Sequence, residues 1–174
     1  MPIPEGVVVV DLTERGDVRG SFTEIFRPSW LPRGFEVAQA NLSRSKAGVV
    51  RGMHYHREQA DFWCFVQGRA VVALADLRGA TETGPVAIAT LEVDAGERLQ
   101  GILIPPGVAH GFAALAETSL LYLVDRPFDG SDEFGFSWRD PTLGIDWRVS
   151  EPVVSERDAE APPLARALAE APVG

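Results

Sequence analysis

The stretch that decides the fold runs from residue 48 to residue 68 and reads GVVRGMHYHREQADFWCFVQG. Two histidines, His54 and His56, lie two residues apart in it, and four residues separate His56 from a carboxylate, Asp61. Gly68 closes the stretch. Residues two apart on a β-strand face the same side. His54 and His56 therefore point together either into a barrel or out of it.

The third and last histidine of the chain belongs to a second stretch, PPGVAH at residues 105–110. We expect its proline-glycine turn to bring His110 in from another strand. The two stretches resemble the two motifs of the cupin superfamily, in which a glutamate usually stands at the place of Asp61. This resemblance implies a cupin-like jelly-roll β-barrel, an all-β fold with few short helices. Three imidazoles in one cavity are costly to bury without partners, which favours a functional site.

Short apolar runs separated by turn residues continue along the chain, which contains 13 prolines and 17 glycines. Many short strands at close spacing are typical of an antiparallel sandwich or barrel. We also expect a hairpin turn at Gln67, Gly68 and Arg69. The predicted strands are residues 7–11, 22–26, 35–42, 62–66, 70–75, 86–93, 102–104 and 119–124.

The length of 174 residues predicts one domain, since domains usually have ~100–200 residues. We place this domain at residues 1–160 and expect residues 161–174, which are rich in alanine and proline, to form a C-terminal tail. Residues 164–171 are able to form one or two helical turns, but nothing in the sequence holds them in place. The tail is therefore expected to be peripheral and poorly ordered unless it docks on a partner.

Composition argues against several kinds of partner. The net charge of −9 argues against broad nucleic-acid binding, which needs a basic face, but not against a small anionic substrate held by local arginines. No stretch approaches the ~20 apolar residues of a membrane span, and the first residues do not resemble a signal peptide. The single cysteine, Cys64, fits a reducing compartment. We therefore expect a cytoplasmic protein that binds neither nucleic-acid polymers nor membranes.

A longer resemblance extends from about residue 11 to residue 164 and rests on several pieces in a fixed order. The pieces are DVRGSFTE at 17–24, QANLS at 39–43, GVVRGMHY at 48–55, IPPGVAHGF at 104–112, Tyr122, EFGFSWRDPTLGIDW at 133–147 and VSERD at 154–158. In this order they resemble the dTDP-4-dehydrorhamnose 3,5-epimerase family. The resemblance implies an isomerase that acts in deoxysugar biosynthesis.

The chemistry of that family explains why it needs such residues. Its substrate is a nucleotide-linked 4-keto-6-deoxyhexose, whose ketone acidifies the C–H bonds at C3 and C5. Epimerisation requires a base, an acid on the opposite face of the sugar and a group that stabilises the enolate oxygen. The resemblance implies that His54 is the base, that Asp158 fixes its tautomer and that Tyr122 is the acid. Whether C3, C5 or both are inverted stays open.

The resemblance also implies substrate contacts and an assembly state. We expect a homodimer whose N-terminal strands are exchanged across the interface. Arg157 stands where the family has a lysine, and it keeps the charge but not the shape. The predicted substrate-binding residues are Arg19, Glu24, Gln39, Asn41, Arg51, Asp61, His110, Glu133 and Arg157.

Two positions depart from the family. Asp61 stands where the family has a lysine that is thought to help hold the enolate oxygen, and His56 stands where it has a glutamine. Together the two changes restore the ligand set of a metal-binding cupin. Three histidines and a carboxylate suit divalent iron, manganese, nickel or zinc. That possible metal site consists of His54, His56, Asp61 and His110.

Three functions follow from these residues. The first is an epimerase without a metal or other cofactor, in which Arg51 or His110 takes over from the lost lysine. The second is a metal-binding cupin that acts on a related keto sugar, with the ion as a Lewis acid. The third is a non-catalytic protein that binds sugar nucleotides. We favour the first, because His54, Asp158 and Tyr122 are retained and a histidine cannot easily be both a free base and a metal ligand.

Overall fold

A computed structural model describes residues 2–31, 35–81 and 84–173 of the chain. Gly174, the last residue of the predicted tail, lies outside these ranges. Two five-stranded antiparallel sheets make up most of the described fold. The first sheet contains, in spatial order, β1 (Val8–Asp11), β9 (Gln100–Ile104), β6 (Asp61–Gln67), β11 (Thr118–Val124) and β4 (Gln39–Ser45). The second contains β12 (Phe134–Gly135), β5 (Val50–Tyr55), β10 (Val108–Ala114), β7 (Arg69–Asp76) and β8 (Ala87–Asp94).

The remaining elements are short. Strands β2 (Glu14–Asp17) and β3 (Gly20–Thr23) form a separate two-stranded hairpin, which we call the N-terminal hairpin. A 3-10 helix follows at Pro28–Trp30, and two α-helices, α1 (Glu156–Ala159) and α2 (Leu164–Glu170), lie near the C-terminus. In the described part of the chain, no helix has the length and apolar character needed to cross a membrane.

The two large sheets pack face to face around a shared apolar core. Trp63 and Leu120 of the first sheet lie in one buried cluster with Val72, Leu74 and Phe112 of the second. The residues that alternate with them on β7 and β10, such as Ala73 and Ala113, are buried in a second cluster, so both faces of this sheet are covered. This sandwich confirms the predicted cupin-like jelly roll, and its open end leaves room for a cavity between the sheets.

The predicted hairpin at Gln67, Gly68 and Arg69 is wrong. Strand β6 pairs with β9 and β11, whereas β7 pairs with β8 and β10, so the chain passes from one sheet to the other at Gly68. A Cβ at Gly68 would lie 2.1 Å from the carbonyl oxygen of Glu117, and the residue has a φ of +82°. Glycine therefore serves a tight crossing between sheets. Sequence neighbours in this fold need not pair: β6 and β7 are consecutive but lie in different sheets, whereas β7 and β8 do pair.

Two predicted strands also differ from the observed elements. The prediction at residues 22–26 covers only the end of β3, because the N-terminal hairpin ends at Thr23. The prediction at residues 35–42 begins too early, because β4 starts at Gln39, where its pairing with β11 begins. In these two segments, Phe22 and Thr23 pair with β2, and residues 39–42 pair with β11.

Residues 164–173 pack against the core, which differs from the prediction of a peripheral tail. Helix α2 buries Leu164, Ala167 and Leu168, whose spacing places them on one face of the helix. The hydroxyl of Tyr55 on β5 donates a hydrogen bond of 2.9 Å to the carbonyl oxygen of Ala171. The apolar face is visible in the sequence, but the surface that receives it is assembled only by the fold.

Strands β5 and β10 approach very closely at Gly52 and Gly111. A Cβ on Gly52 would lie 2.7 Å from the Cα of Gly111, and Gly52 has a φ of +119°, so only glycine fits there. The pairing register shifts between His110 and Phe112, beside this contact. The register of the two strands sets His54 opposite His110. The backbone therefore brings the two distant histidine motifs to one place.

Candidate active site

A cavity of about 420 Å³ opens between the two sheets. It collects most of the residues that the sequence singled out, including all three histidines. The joint exposure of His54 and His56 to this cavity confirms that they share one side. The predicted residues that line it are Gln39, Asn41, Arg51, His54, His56, Asp61, His110, Tyr122, Glu133 and Arg157.

Two cross-strand rows form opposite walls of the cavity. On the first sheet, Tyr122 lies between Asn41 and Trp63 in the strand register. On the second sheet, His54 lies beside His110. All five residues line the cavity. The imidazoles on the second sheet therefore face the phenol of Tyr122 on the first. A ligand bound between the sheets is therefore contacted by these groups on two sides.

His54 is held by a carboxylate that lies behind it. Its Nε2 lies 2.7 Å from Oδ1 of Asp158, a residue of helix α1. A carboxylate oxygen accepts, so Nε2 carries the proton and the neutral ring presents an unprotonated Nδ1. The side chain of His54 is 25% exposed whereas that of Asp158 is 5% exposed. The imidazole therefore reaches the cavity while the carboxylate stays beneath it.

Asp158 is fixed by the backbone as well as by the imidazole. Its Oδ2 accepts a hydrogen bond of 3.3 Å from the amide of Gly52, and its own amide donates to the hydroxyl of Ser155, which caps α1. Burial raises the pKa of Asp158, but the hydrogen bonds from His54, Gly52 and Ser155, together with attraction to the His54 ring when it is protonated, outweigh it and lower the pKa below its usual value. The carboxylate therefore stays ionised and keeps the His54 ring oriented.

Tyr122 lies in the facing wall, half-buried on β11. Burial, followed by the charges of Asp61 and Glu133, raises the pKa of its phenol, and Arg51 opposes this effect. The hydroxyl therefore stays protonated at neutral pH. A protonated phenol on the sheet opposite His54 is a proton donor on the other face of a bound ligand.

A second cluster is separate from the His54–Asp158 pair. Asp61 lies between two histidines, with Oδ1 at 3.9 Å from Nε2 of His56 and Oδ2 at 3.8 Å from Nε2 of His110. Gln59 donates to Oδ1 at 2.8 Å and the indole of Trp63 donates to Oδ2 at 3.0 Å. His56, Asp61 and His110 are each at least 95% buried. The predicted ligand set is therefore divided, because His54 is turned toward Asp158 instead.

Both imidazoles of this cluster have a defined orientation. His56 Nδ1 lies 2.6 Å from the carbonyl oxygen of Asp132, and His110 Nδ1 lies 3.0 Å from that of Val108. A carbonyl only accepts, so both Nδ1 atoms carry the proton. Burial lowers the pKa of His110 to about 4, although the charge of Asp61 opposes this. Its ring is therefore neutral at neutral pH, with an Nε2 lone pair that faces Asp61.

The profile of the family described as dTDP-4-dehydrorhamnose 3,5-epimerase matches residues 2–166 of the chain. The chain belongs to this family. It is 38% identical to the spore coat polysaccharide biosynthesis protein SpsL of Bacillus subtilis, over 83% of this chain and 97% of that protein.

Two solved structures of epimerases are similar to this one. NovW of Streptomyces spheroides, a 4-keto-6-deoxy sugar epimerase from the novobiocin gene cluster, shows a TM-score of 0.88 and 32% identity, over 99% of this chain and 91% of that one. The epimerase RmlC of Legionella pneumophila, in complex with dTDP-4-keto-L-rhamnose, shows a TM-score of 0.86 and 28% identity, over 98% of this chain and 94% of that one. These similarities confirm the family suggested by the sequence pieces, and with it an isomerase.

Two predicted substrate contacts of this epimerase-family chain lie away from the cavity. Arg19 is at the tip of the N-terminal hairpin, where its side chain is 85% exposed and paired with Asp17. Glu24 pairs with Arg27 beside the same hairpin. Among the described residues, neither Arg19 nor Glu24 lines the cavity, and the hairpin pairs with neither large sheet.

Polar side chains at the mouth of the cavity are already paired with each other. Arg157 donates to Glu133 at 2.9 Å, and Gln39 donates to Asn41 at 2.7 Å. Arg51 donates to the hydroxyl of Ser45 at 3.0 Å, which leaves part of its guanidinium free for the cavity. These groups suit the polar and anionic parts of a sugar nucleotide.

Sequence reasoning missed three residues that orient the site. Gln59 and Trp63 hold Asp61, and Asp132 supplies the carbonyl that orients His56. Trp63 follows Asp61 by two residues on β6, so strand periodicity placed both on one face and was a usable signal. The approach of Asp132 had no such signal, because it comes from a loop 76 residues away.

Proposed function

We propose that the chain epimerises a dTDP-linked 4-keto-6-deoxyhexose at C3, C5 or both. The observation that carries this proposal is the 2.7 Å hydrogen bond between His54 and Asp158. His54 lines a cavity whose opposite wall carries Tyr122. This arrangement supplies a base and an acid on two faces of one sugar ring. The activity of NovW as a 4-keto-6-deoxy sugar epimerase and the dTDP-keto sugar bound to the Legionella epimerase support the substrate class.

In the first step, the unprotonated Nδ1 of His54 removes the proton from a carbon next to the ketone. Electrons of the C–H bond move to the C4 oxygen, which forms an enolate. The imidazole becomes positively charged, and the buried Asp158 carboxylate stabilises that charge through Nε2. Because Asp158 is ionised before the step, the stabilisation requires no rearrangement of the site.

In the second step, the phenol of Tyr122 returns a proton to the same carbon from the opposite face. The C4 ketone re-forms and the configuration is inverted. Burial and neighbouring carboxylates keep the phenol protonated until the enolate forms. The proton that returns is a different one from the proton removed, so reaction in heavy water labels the inverted carbon.

Activity on dTDP-4-keto-6-deoxyglucose in heavy water tests this function. We expect deuterium at C3, C5 or both, with inverted configuration at each labelled carbon, read by proton NMR of the sugar nucleotide. Labelling at one carbon identifies a single-position epimerase. A bound sugar nucleotide without any labelling contradicts the proposal and favours the non-catalytic alternative.

We further propose that the active unit is a homodimer in which each N-terminal hairpin completes the cavity of the partner. Strand β4 is at the edge of its sheet, and it carries Gln39 and Asn41 into the cavity wall. An open strand edge is a site for pairing with another chain. The hairpin exposes Val18 and Phe22, which a monomer would leave in water. A hairpin that reaches the edge of β4 brings Arg19 toward the cavity.

Complementation between two inactive chains tests this exchange. We expect His54→Asn and Arg19→Ala chains to be weakly active alone, and co-expressed chains to recover about a quarter of wild-type activity. Random assembly makes half the dimers mixed, and each mixed dimer has one complete site. Recovery is absent if Arg19 serves the cavity of its own chain. A native mass near 18.8 kDa would also contradict the dimer.

A further inference from the structure

The cluster around Asp61 lacks the charge balance that its burial calls for. Asp61, His56 and His110 are each at least 95% buried. Within the described ranges, these two histidines are the side chains able to carry a positive charge that have a nitrogen within 4 Å of the Asp61 oxygens, and no arginine or lysine joins them. A buried carboxylate without a cationic partner is costly.

The two imidazoles present their lone pairs to this carboxylate. Each ring donates Nδ1–H to a backbone carbonyl, which leaves Nε2 as the acceptor. Neither Nε2 has a hydrogen-bond partner among the described residues, and an acceptor cannot bond to a carboxylate oxygen. With neutral imidazoles, the separations of 3.9 Å and 3.8 Å are therefore contacts between acceptors, which a cation between them would stabilise.

We propose that His56, Asp61 and His110 hold one divalent transition-metal ion, and that His54 is not one of its ligands. The three ligand atoms lie within 4.8 Å of one another. Atoms bound at about 2.0–2.2 Å from one ion are roughly 3.0–3.5 Å apart, so small side-chain movements complete the site. Two imidazoles and a carboxylate with open positions suit zinc, iron, manganese or cobalt.

The surroundings of the three ligands resemble the outer shell of a metal site. Metal-binding histidines usually donate their other N–H to a carbonyl or carboxylate, and ligating carboxylates are themselves hydrogen-bonded. Here Asp132 and Val108 orient the histidines, and Gln59 and Trp63 orient Asp61. His54 is excluded because its Nε2 is bound to Asp158. The base and the metal site are therefore separate groups in one cavity.

A role for the ion rests on the proposed epimerase function. The ligands line the same cavity as His54 and Tyr122, and Asp61 occupies the place where the family resemblance puts a lysine beside the enolate oxygen. A metal ion in that place supplies the positive charge that the aspartate alone would remove. With His56 in place of the family's glutamine and Asp61 in place of its lysine, the positive charge of a metal ion would replace that of the lysine.

Metal binding to the full-length protein, without substrate, tests the site itself. After chelator treatment, we expect wild-type protein to bind one equivalent of Co²⁺, with visible absorption bands of a nitrogen- and oxygen-ligated ion, and Zn²⁺ to displace it. His56→Gln and Asp61→Asn should each weaken binding by about 100-fold or more. His54→Asn is the matched control and should change affinity less than about threefold.

Several outcomes would overturn the proposal. Wild-type protein that binds no stoichiometric Co²⁺ or Zn²⁺ contradicts it, and so does a His54→Asn variant that loses binding as fully as Asp61→Asn. A cooperative thermal unfolding transition in each metal-free variant shows that the variant is folded. If Asp61→Asn does not fold, His110→Gln provides a second variant that lacks one ligand.

The role of the ion is tested separately. We expect removal of the metal to lower the rate of deuterium labelling by about 10-fold or more, and Co²⁺ or Zn²⁺ to restore it. Unchanged labelling in stoichiometrically metal-free protein overturns the Lewis-acid role. Because Co²⁺ binding is read without substrate, failure of the epimerase function leaves the test of the metal site intact.

Discussion

The His54→Asn variant is expected to lose deuterium labelling of dTDP-4-keto-6-deoxyglucose by about 10²–10⁴-fold, the usual contribution of a general base. Asparagine keeps a similar polar volume but has no basic nitrogen to remove the proton. The labelling of C3 and C5 in heavy water, followed by NMR, measures this loss directly. Binding of dTDP should change little, because the nucleotide does not need the base. Full labelling by the variant contradicts the mechanism.

Asp158→Asn is the companion variant that separates the base from its support. The oxygen of the introduced amide would keep the hydrogen bond from Gly52, which turns the amide NH₂ toward His54. An amide that donates to Nε2 forces the ring proton onto Nδ1, so the base is lost although the ring remains. We expect a decrease of about 10²-fold or more, with unchanged thermal stability as the sign that folding is intact.

Tyr122→Phe is expected to separate labelling from inversion. The variant lacks the phenol hydroxyl, so inversion should fall by about 10²–10⁴-fold, while His54 still removes a proton and returns a deuteron to the same face. NMR should therefore show labelled sugar that keeps its original configuration. The ring still packs against Trp63 and Asn41 in the strand register, so the wall of the cavity is preserved.

Two results would contradict the assignment of Tyr122. Undiminished inversion would show that another group is the acid. Labelling that disappears together with inversion, in a folded variant that still binds dTDP, would show that the phenol is needed to form the enolate. Leu120→Ala is a useful control, because Leu120 lies two residues away on the same strand and also lines the cavity.

Sequence patterns predicted the jelly roll and most of the site because both depend on local spacing. His54 and His56 are separated by two residues, so any strand through them puts both on one face. The ordered pieces from Asp17 to Asp158 predicted the family, which the comparisons confirm. The alternative of a metal site was stated with four residues, because spacing does not show which way a ring turns. The structure leaves His54 with Asp158 and groups the other three.

What the sequence determined by itself was the identity of the chemical groups and the face of the strand on which each lies. Only the tertiary structure decided their partners, because partners come from distant parts of the chain. Asp158 reaches His54 across 104 residues, and the Asp132 carbonyl reaches His56 across 76. The tertiary structure also decided the packing of α2, because its apolar face is buried only by the surface around Tyr55. It likewise decided the strand pairing, because β6 and β7 are consecutive but lie in different sheets. Backbone periodicity acts over a few residues, whereas burial and hydrogen bonding select partners throughout the fold.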